Sequence, residues 1–303
     1  MKKTLVILLT ILLSIVMYGC TSSGESEGAG NSSGASNDTG NNNEEKPTLT
    51  FGKTPWTSTV PPTEIAKKVL EEMGYKVEEK QGELGVVFTG LSADDVNIFM
   101  DYWEPQHKQY LEEYSDSVEI VSTSYEDADW GIAVPKYMED VNDVGDLKGK
   151  EDTVNNEVLA IVESDPAVQD IPKAIDEYDL DMEMTNSSEA AMLAAAKEKI
   201  DEKEPVALFG WRPHTMFNLL DIKLLTNNKA PELFPSATVS VVANKELKEK
   251  APEAYEFLSN WRLPIDDMED MLVKIDEGKN PEDVAQTWID NNQDTIDEMK
   301  GHQ

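Results

Sequence analysis

From Pro47 onward the chain alternates short strand-like apolar runs with helix-length amphipathic segments. This alternation constrains the fold more than any other feature, because it calls for an α/β architecture with strands covered by helices. Thr48 to Phe51 is a short alternating run ending at Gly52. After Trp56 and the Pro61-Pro62 pair, Thr63 is placed to cap a helix. Its apolar positions Ile65, Ala66, Val69, Leu70 and Met73 recur at helical spacing until Gly74 stops it. Val86 to Phe88, Val96 to Met100, Val118 to Ser122 and Gly131 to Val134 are read as the following strands. A second block begins near Tyr137. In it Ser187 to Lys199 is an Ala-rich helix, and Pro205 to Phe209 is a buried strand. Ala237 to Ala243 is a strand that carries the chain back to the first block. Two helices end the tail. One holds Trp261 and stops at Leu263-Pro264; the other opens with Asn280, Pro281, Glu282 and Asp283.

The residues before Pro47 are of another kind. Lys2 and Lys3 precede an apolar run from Leu5 to Val16, which is shorter than the roughly 20 apolar residues a spanning helix needs. It ends in Met17-Tyr18-Gly19-Cys20, which resembles the lipobox of bacterial lipoproteins, with Met17 in place of the usual leucine. The resemblance implies a signal peptide over residues 1–19 and a lipid on Cys20, so that the chain is anchored at the extracytoplasmic face of the cell membrane. Cys20 is the only cysteine, so no internal disulfide is possible. Residues 20–46 are Gly, Ser, Asn, Asp, Glu and Thr with hardly an apolar side chain, the composition of a flexible tether.

Charge and motifs narrow the function. A formal charge of −34 repels nucleic acid and anionic lipid. It also suits a protein working in high salt, or one kept in solution at an alkaline cell surface. No Gly-x-Ser-x-Gly elbow, phosphate loop, Gly-x-Gly-x-x-Gly or His-Glu-x-x-His occurs, so the chain reads as a binding protein rather than an enzyme. The three histidines, His107, His214 and His302, are too scattered to argue for a metal site, and no cofactor is expected.

The six tryptophans are more informative. Trp261 and Trp288 fall on apolar helix faces and read as core. Trp56, Trp103, Trp130 and Trp211 instead sit at strand ends, where open α/β sheets bind ligands. Trp103 and Trp211 each have a proline two positions on and a histidine close behind. Such rings suit a sugar, an aromatic or a cation. A quaternary ammonium is the case with a specific reason: it has no N–H to donate, so ring faces select it where hydrogen bonds cannot.

At this point the chain resembles the substrate-binding proteins of glycine betaine and proline betaine importers, whose relatives bind choline or carnitine. The landmarks are Asp101-Tyr102-Trp103-Glu104-Pro105-Gln106-His107, Gly131 to Tyr137, Val144 to Gly149, Ser187 to Leu193, Phe209-Gly210-Trp211-Arg212-Pro213-His214 and Gly278 to Ala285. The resemblance implies a two-lobed periplasmic-binding-protein-like fold of type II, with two crossing hinge strands and the ligand between the lobes. Lobe 1 is expected over 47–137 and 236–303, and lobe 2 over 138–235. It implies that Trp103 and Trp211 are cage walls, with Trp56 a further aromatic, and that His107 reaches a ligand carboxylate. Backbone N–H groups at Thr59 and Val60 are expected to assist. Trp130, or Tyr125, is expected to complete the cage, and Arg212 is an added cation near it. Ser164-Asp165-Pro166-Ala167-Val168-Gln169 stands where many relatives have a glycine-rich Asp-Pro-Gly loop, so that side of the pocket is expected to differ. The implied ligand is glycine betaine or proline betaine, then choline or carnitine, then another methylated zwitterion. The implied partners are an ABC permease and its ATPase.

Overall fold

The computed structural model describes residues 46–301. The signal segment, Cys20, the tether up to residue 45 and His302 lie outside the described residues. Ten strands follow in chain order: β1 (Thr48–Lys53), β2 (Lys76–Gln81), β3 (Ile98–Glu104), β4 (Val118–Ala128), β5 (Trp130–Pro135), β6 (Glu157–Ala160), β7 (Glu183–Asn186), β8 (Ala207–Trp211), β9 (Ile222–Leu224) and β10 (Ala237–Asn244). They form two five-stranded sheets, ordered β2-β1-β3-β10-β4 and β7-β6-β8-β5-β9. This is the two-lobed α/β fold expected.

The chain crosses between the sheets twice, from Ala128 to Trp130 and again between Leu224 and Ala237. Strand β5 was expected in the first lobe, with the boundary at residue 137. It belongs instead to the second sheet, where it runs antiparallel to β8 and β9. β10 returns to the first sheet and lies antiparallel between β3 and β4.

Each sheet mixes parallel strands, which need crossover helices, with antiparallel ones. β1 is parallel to β2 and β3, and β6 is parallel to β7 and β8. β3 is buried along all but its last residue, as a central strand covered on both faces must be. The edge strand β2, Lys-Val-Glu-Glu-Lys-Gln, is mostly exposed, and its charges discourage pairing with another chain.

Three local expectations are corrected. Val86 to Phe88 is not a strand but the middle of a helix, Leu84–Ser92, that buries Leu84, Val87, Phe88 and Leu91. Those spacings are helical, whereas Val86 is the one large apolar side chain of this helix that faces outward, at 63% exposure. The helix after Trp56 runs from Val60 to Glu72, so Thr63 lies inside it rather than capping it. Pro61 and Pro62 occupy the first turn, where a missing N–H forfeits no intrahelical bond. Trp261 lies beyond the helix Pro252–Ser259 rather than in it. It is still core, 2% exposed, with Nε1 donating to Ser124 Oγ at 3.0 Å.

The tail holds more than two helices. Ile265–Asp276, Pro281–Asn291 and Gln293–Met299 follow Pro252–Ser259, and Asn280 caps the second of these three by accepting from Glu282 N at 2.8 Å. Helix Pro281–Asn291 packs on Val60–Glu72, so the C-terminal segment closes over the first sheet. No helix among the described residues is long and apolar enough to cross a membrane.

Candidate functional site

A cavity opens between the two sheets, in the crevice where two-lobed α/β folds hold small molecules. From the first sheet it is lined by Trp56, Ser58, Trp103, Gln106 and His107; from the second by Trp130, Ile161, Asp165, Ala167, Phe209 and Trp211. Trp56 follows β1, Trp103 lies near the end of β3, Asp165 follows β6 and Trp211 ends β8. The cavity therefore gathers residues from carboxyl ends of strands, where α/β sheets leave their ligand crevice.

Strand geometry explains how the rings converge. Trp130 and Trp211 are directly opposite across the β5–β8 ladder. Phe209 shares the face of Trp211 because alternate residues point the same way, and their rings lie 5.4 Å apart. Trp130 meets Phe209 edge-on at 6.2 Å and Phe234 at 5.1 Å. Its Nε1 donates to the carbonyl of Pro235 at 2.5 Å, which fixes the indole.

On the other wall the same two-residue period places Asp101 beside Trp103. Trp103 Nε1 donates to Asp101 Oδ1 at 2.8 Å, and Ser58 Oγ donates to Asp101 Oδ2 at 2.8 Å. Asp101 is 1% exposed. Burial pushes its carboxyl up to about 6 against the lowering effect of those two bonds.

His107 sits one turn after Trp103. Its Nδ1 accepts from Trp103 N at 3.0 Å. A neutral imidazole that accepts at Nδ1 carries its proton on Nε2, and burial holds this ring down at about 3, hence neutral. The ring lines the cavity and stacks on Trp56 at 6.2 Å. It thus offers a neutral Nε2–H donor. Gln106 adds an Oε1 that is buried without a partner.

Asp165, in the segment that departs from the glycine-rich pattern, is the acid of the second wall. Its Oδ1 accepts from Ala167 N at 2.8 Å and caps the turn Pro166–Gln169. Burial, with Asp101 and Glu83 nearby, pushes its carboxyl up to about 7. Four indoles, two buried acids and a neutral donor make a site suited to a methylated cation with a polar end.

Among the residues expected at the site, Trp56, Trp103, His107, Trp130 and Trp211 are brought together. Thr59 and Val60 do not line the cavity, and their N–H groups are used within the turn, on Trp56 O at 3.4 Å and on Thr57 O. Tyr125 is buried behind the cavity with an unpartnered hydroxyl. Arg212 points away from it, onto Glu269 at 3.1 Å and over the Phe217 ring. His214 faces Glu189 and Thr57 instead, each at 3.2 Å. Ser58, Gln106, Ile161 and Phe209 were not anticipated; for Phe209 the signal was its position two residues before Trp211 on a strand. Among the described residues no group of three or more His, Cys, Asp or Glu could hold a metal.

Residues 47–291 match the family model described as the substrate binding domain of ABC-type glycine betaine transport system. The glycine betaine/carnitine transport binding protein GbuC of Listeria monocytogenes serotype 1/2a (strain 10403S) is 34% identical over 127 residues, covering 41% of this chain and 42% of that protein. The glycine betaine/proline betaine-binding periplasmic protein of Escherichia coli (strain K12) is 24% identical over 271 residues, covering 75% of this chain and 80% of that one. Among solved structures, lactococcal OpuAC in its closed-liganded conformation with glycine betaine superposes with a TM-score of 0.78 at 27% identity, covering 84% of this chain and 99% of that one. An ABC-transporter choline binding protein in complex with choline has the same fold, with a TM-score of 0.76 at 23% identity, covering 83% and 91%.

Proposed function

The chain belongs to the family of substrate-binding domains of ABC-type glycine betaine transport systems, and on that footing we propose that it captures glycine betaine in the cavity between its sheets. The observation that carries this reading is the convergence of Trp56, Trp103, Trp130 and Trp211 on one space that also holds the neutral His107. The trimethylammonium group sits against the indole faces, and the carboxylate takes the His107 Nε2–H. The lobes close about the two crossings, at 128–130 and 224–237. The lipobox-like Met17-Tyr18-Gly19-Cys20 supports an anchor through lipid on Cys20 at the extracytoplasmic face. The closed form then docks on an ABC permease driven by its ATPase.

Magnitudes explain why both ends of the ligand need holding. Four rings at about 0.5–2 kcal/mol each supply roughly 2–8 kcal/mol before non-additivity. Micromolar affinity needs about 8 kcal/mol. The rest comes from burying the methyl groups and from the hydrogen bond to the carboxylate. Proline betaine and carnitine carry the same two ends and are the nearest alternatives. Choline is a second reading with an observation of its own, the buried acid Asp165 in the cavity wall.

Calorimetric titration of the protein with glycine betaine, proline betaine, carnitine and choline tests this. Trp103→Ala and Trp211→Ala are each expected to weaken binding about tenfold or more. His107→Ala is expected to weaken betaines and leave choline unchanged. Binding of a betaine that survives both tryptophan substitutions would exclude the cage.

A further inference from the structure

Asp165 lines the cavity, is 5% exposed and has no Lys or Arg within ion-pair distance among the described residues. Its Oδ1 is held by Ala167 N, which leaves Oδ2 without a hydrogen-bond partner among the described residues. The groups facing it do not supply a positive charge. Asp101 on β3 and Glu83 ahead of the helix Leu84–Ser92 are acids. Tyr110 on the helix Lys108–Glu113 is a phenol whose proton this carboxyl helps to retain. His107, across the same cavity, is neutral. Lys80, in the adjoining groove, pairs with Asp95 at 3.6 Å. A buried carboxylate without a counter-ion is costly, so either a proton or the ligand must neutralise it.

Those two choices correspond to two ligand types. A betaine is a zwitterion of zero net charge, and its complex with a protonated Asp165 is neutral. A choline-type ligand is a net cation with a hydroxyl, and its complex with an ionised Asp165 is equally neutral. The mismatched pairs each leave one uncompensated charge in a dry site. In the betaine case the mismatch sets two carboxylates in one cavity, where like charges cannot both stay ionised cheaply.

We infer that Asp165 decides which quaternary ammonium this site accepts, admitting a carboxylate-bearing ligand when it holds a proton and a hydroxyl-bearing cation when it does not. This rests on the function proposed above and names the residue that sets its ligand preference. Each betaine bound above the midpoint of Asp165 takes one proton from solvent onto an Asp165 carboxylate oxygen, while a choline-type ligand takes none. With that midpoint near 7, both forms are within reach at neutral pH.

The experiment is calorimetry on the full chain with glycine betaine and with choline from pH 5.5 to 8.5, each in two buffers of different ionisation enthalpy. The expected result is uptake of up to one proton with glycine betaine. Its affinity falls toward tenfold per pH unit above the midpoint, while choline affinity rises or stays level. Asp165→Asn keeps an oxygen for Ala167 N–H and is neutral at every pH. It should bind glycine betaine with little pH dependence and lose affinity for choline. His107 titrates below this range, and any slope contributed by Asp101 persists in the variant. Binding of both ligands by the native chain with no proton uptake and a flat profile overturns the inference alone, with no variant needed. If neither ligand binds to folded protein at any pH, the proposed function fails, and this inference with it.

Discussion

Asp101 and Asp165 are acids whose surroundings work against their charge. Each is a carboxyl taken almost wholly out of water, and Asp101 is kept there by the indole N–H of Trp103 and the hydroxyl of Ser58. Both are raised by burial, to about 6 and about 7, against an unfolded value near 3.9. Between about pH 4 and pH 7 the folded chain therefore holds protons that the unfolded chain has released. Stability must fall as pH rises through that window, by up to about 1.4 kcal/mol per unit for each group. His107, held down at about 3, acts in the opposite sense between about 3 and 6.5, because there the unfolded state binds the extra proton. Asp165→Asn separates these effects. Its urea-unfolding free energy in the absence of ligand, relative to the native chain, should grow from pH 4 to 7 and level off above. A difference independent of pH would mean that the carboxyl is not held protonated by the fold. The tryptophans of this site were legible because an indole at a strand end is rare and large. The acids were not, since sixty acidic residues in the sequence gave no reason to prefer two of them.

Between elements, a small polar cluster joins the two sheets beside the cavity. Thr57 opens the turn that follows Trp56, and its N–H and Oγ1 donate to Glu189 at 3.3 and 3.0 Å. Glu189 is the first residue of the helix Glu189–Asp201 in the second lobe. His214, just after β8, accepts Met216 N at Nδ1 and so presents its Nε2–H to Glu189 and Thr57. Hydrogen bonds to a charged group are worth about 1.5–3 kcal/mol, and in the proposed closure this cluster joins elements that part when the lobes open. Glu189→Ala should therefore speed ligand release roughly ten- to hundredfold with little change in the association rate, as read by stopped-flow tryptophan fluorescence. An unchanged release rate would show that the cluster breaks before the step that limits dissociation. The residues Ser187 to Leu193 and Trp211 to His214 were visible as family landmarks. Their meeting with Thr57 was not, because the partners are 132 and 157 positions apart in sequence. The helix Leu84–Ser92 was missed for a local reason. Three consecutive apolar residues fit a strand, and only Leu84 and Leu91 on either side reveal the helical period.

Across the whole molecule, the dominant fact is a charge of −34, from 60 acidic against 26 basic residues. Most ion pairs are at the surface, where each contributes little, and the excess acids repel one another. Raising salt from 0.1 to 1 M shortens the screening length from about 10 to about 3 Å. The thermal midpoint, followed by circular dichroism, should then rise by several degrees; a fall would mean that the surface pairs outweigh the repulsion. At this scale much was determined by the sequence alone. The alternation of apolar periods specified an α/β chain, since burial of those faces leaves few other architectures. The indoles at strand ends suited a sugar, an aromatic or a cation, and the order of motifs along the chain pointed to the family. Tertiary structure alone decided where β5 belongs, because register and pairing are properties of two strands and not of one. It also decided which acids of a uniformly acidic chain lose their water. Burial is set by what distant segments bring against a residue, and Asp165 acquires its chemistry only when β3, the Glu83 turn and the second sheet enclose it.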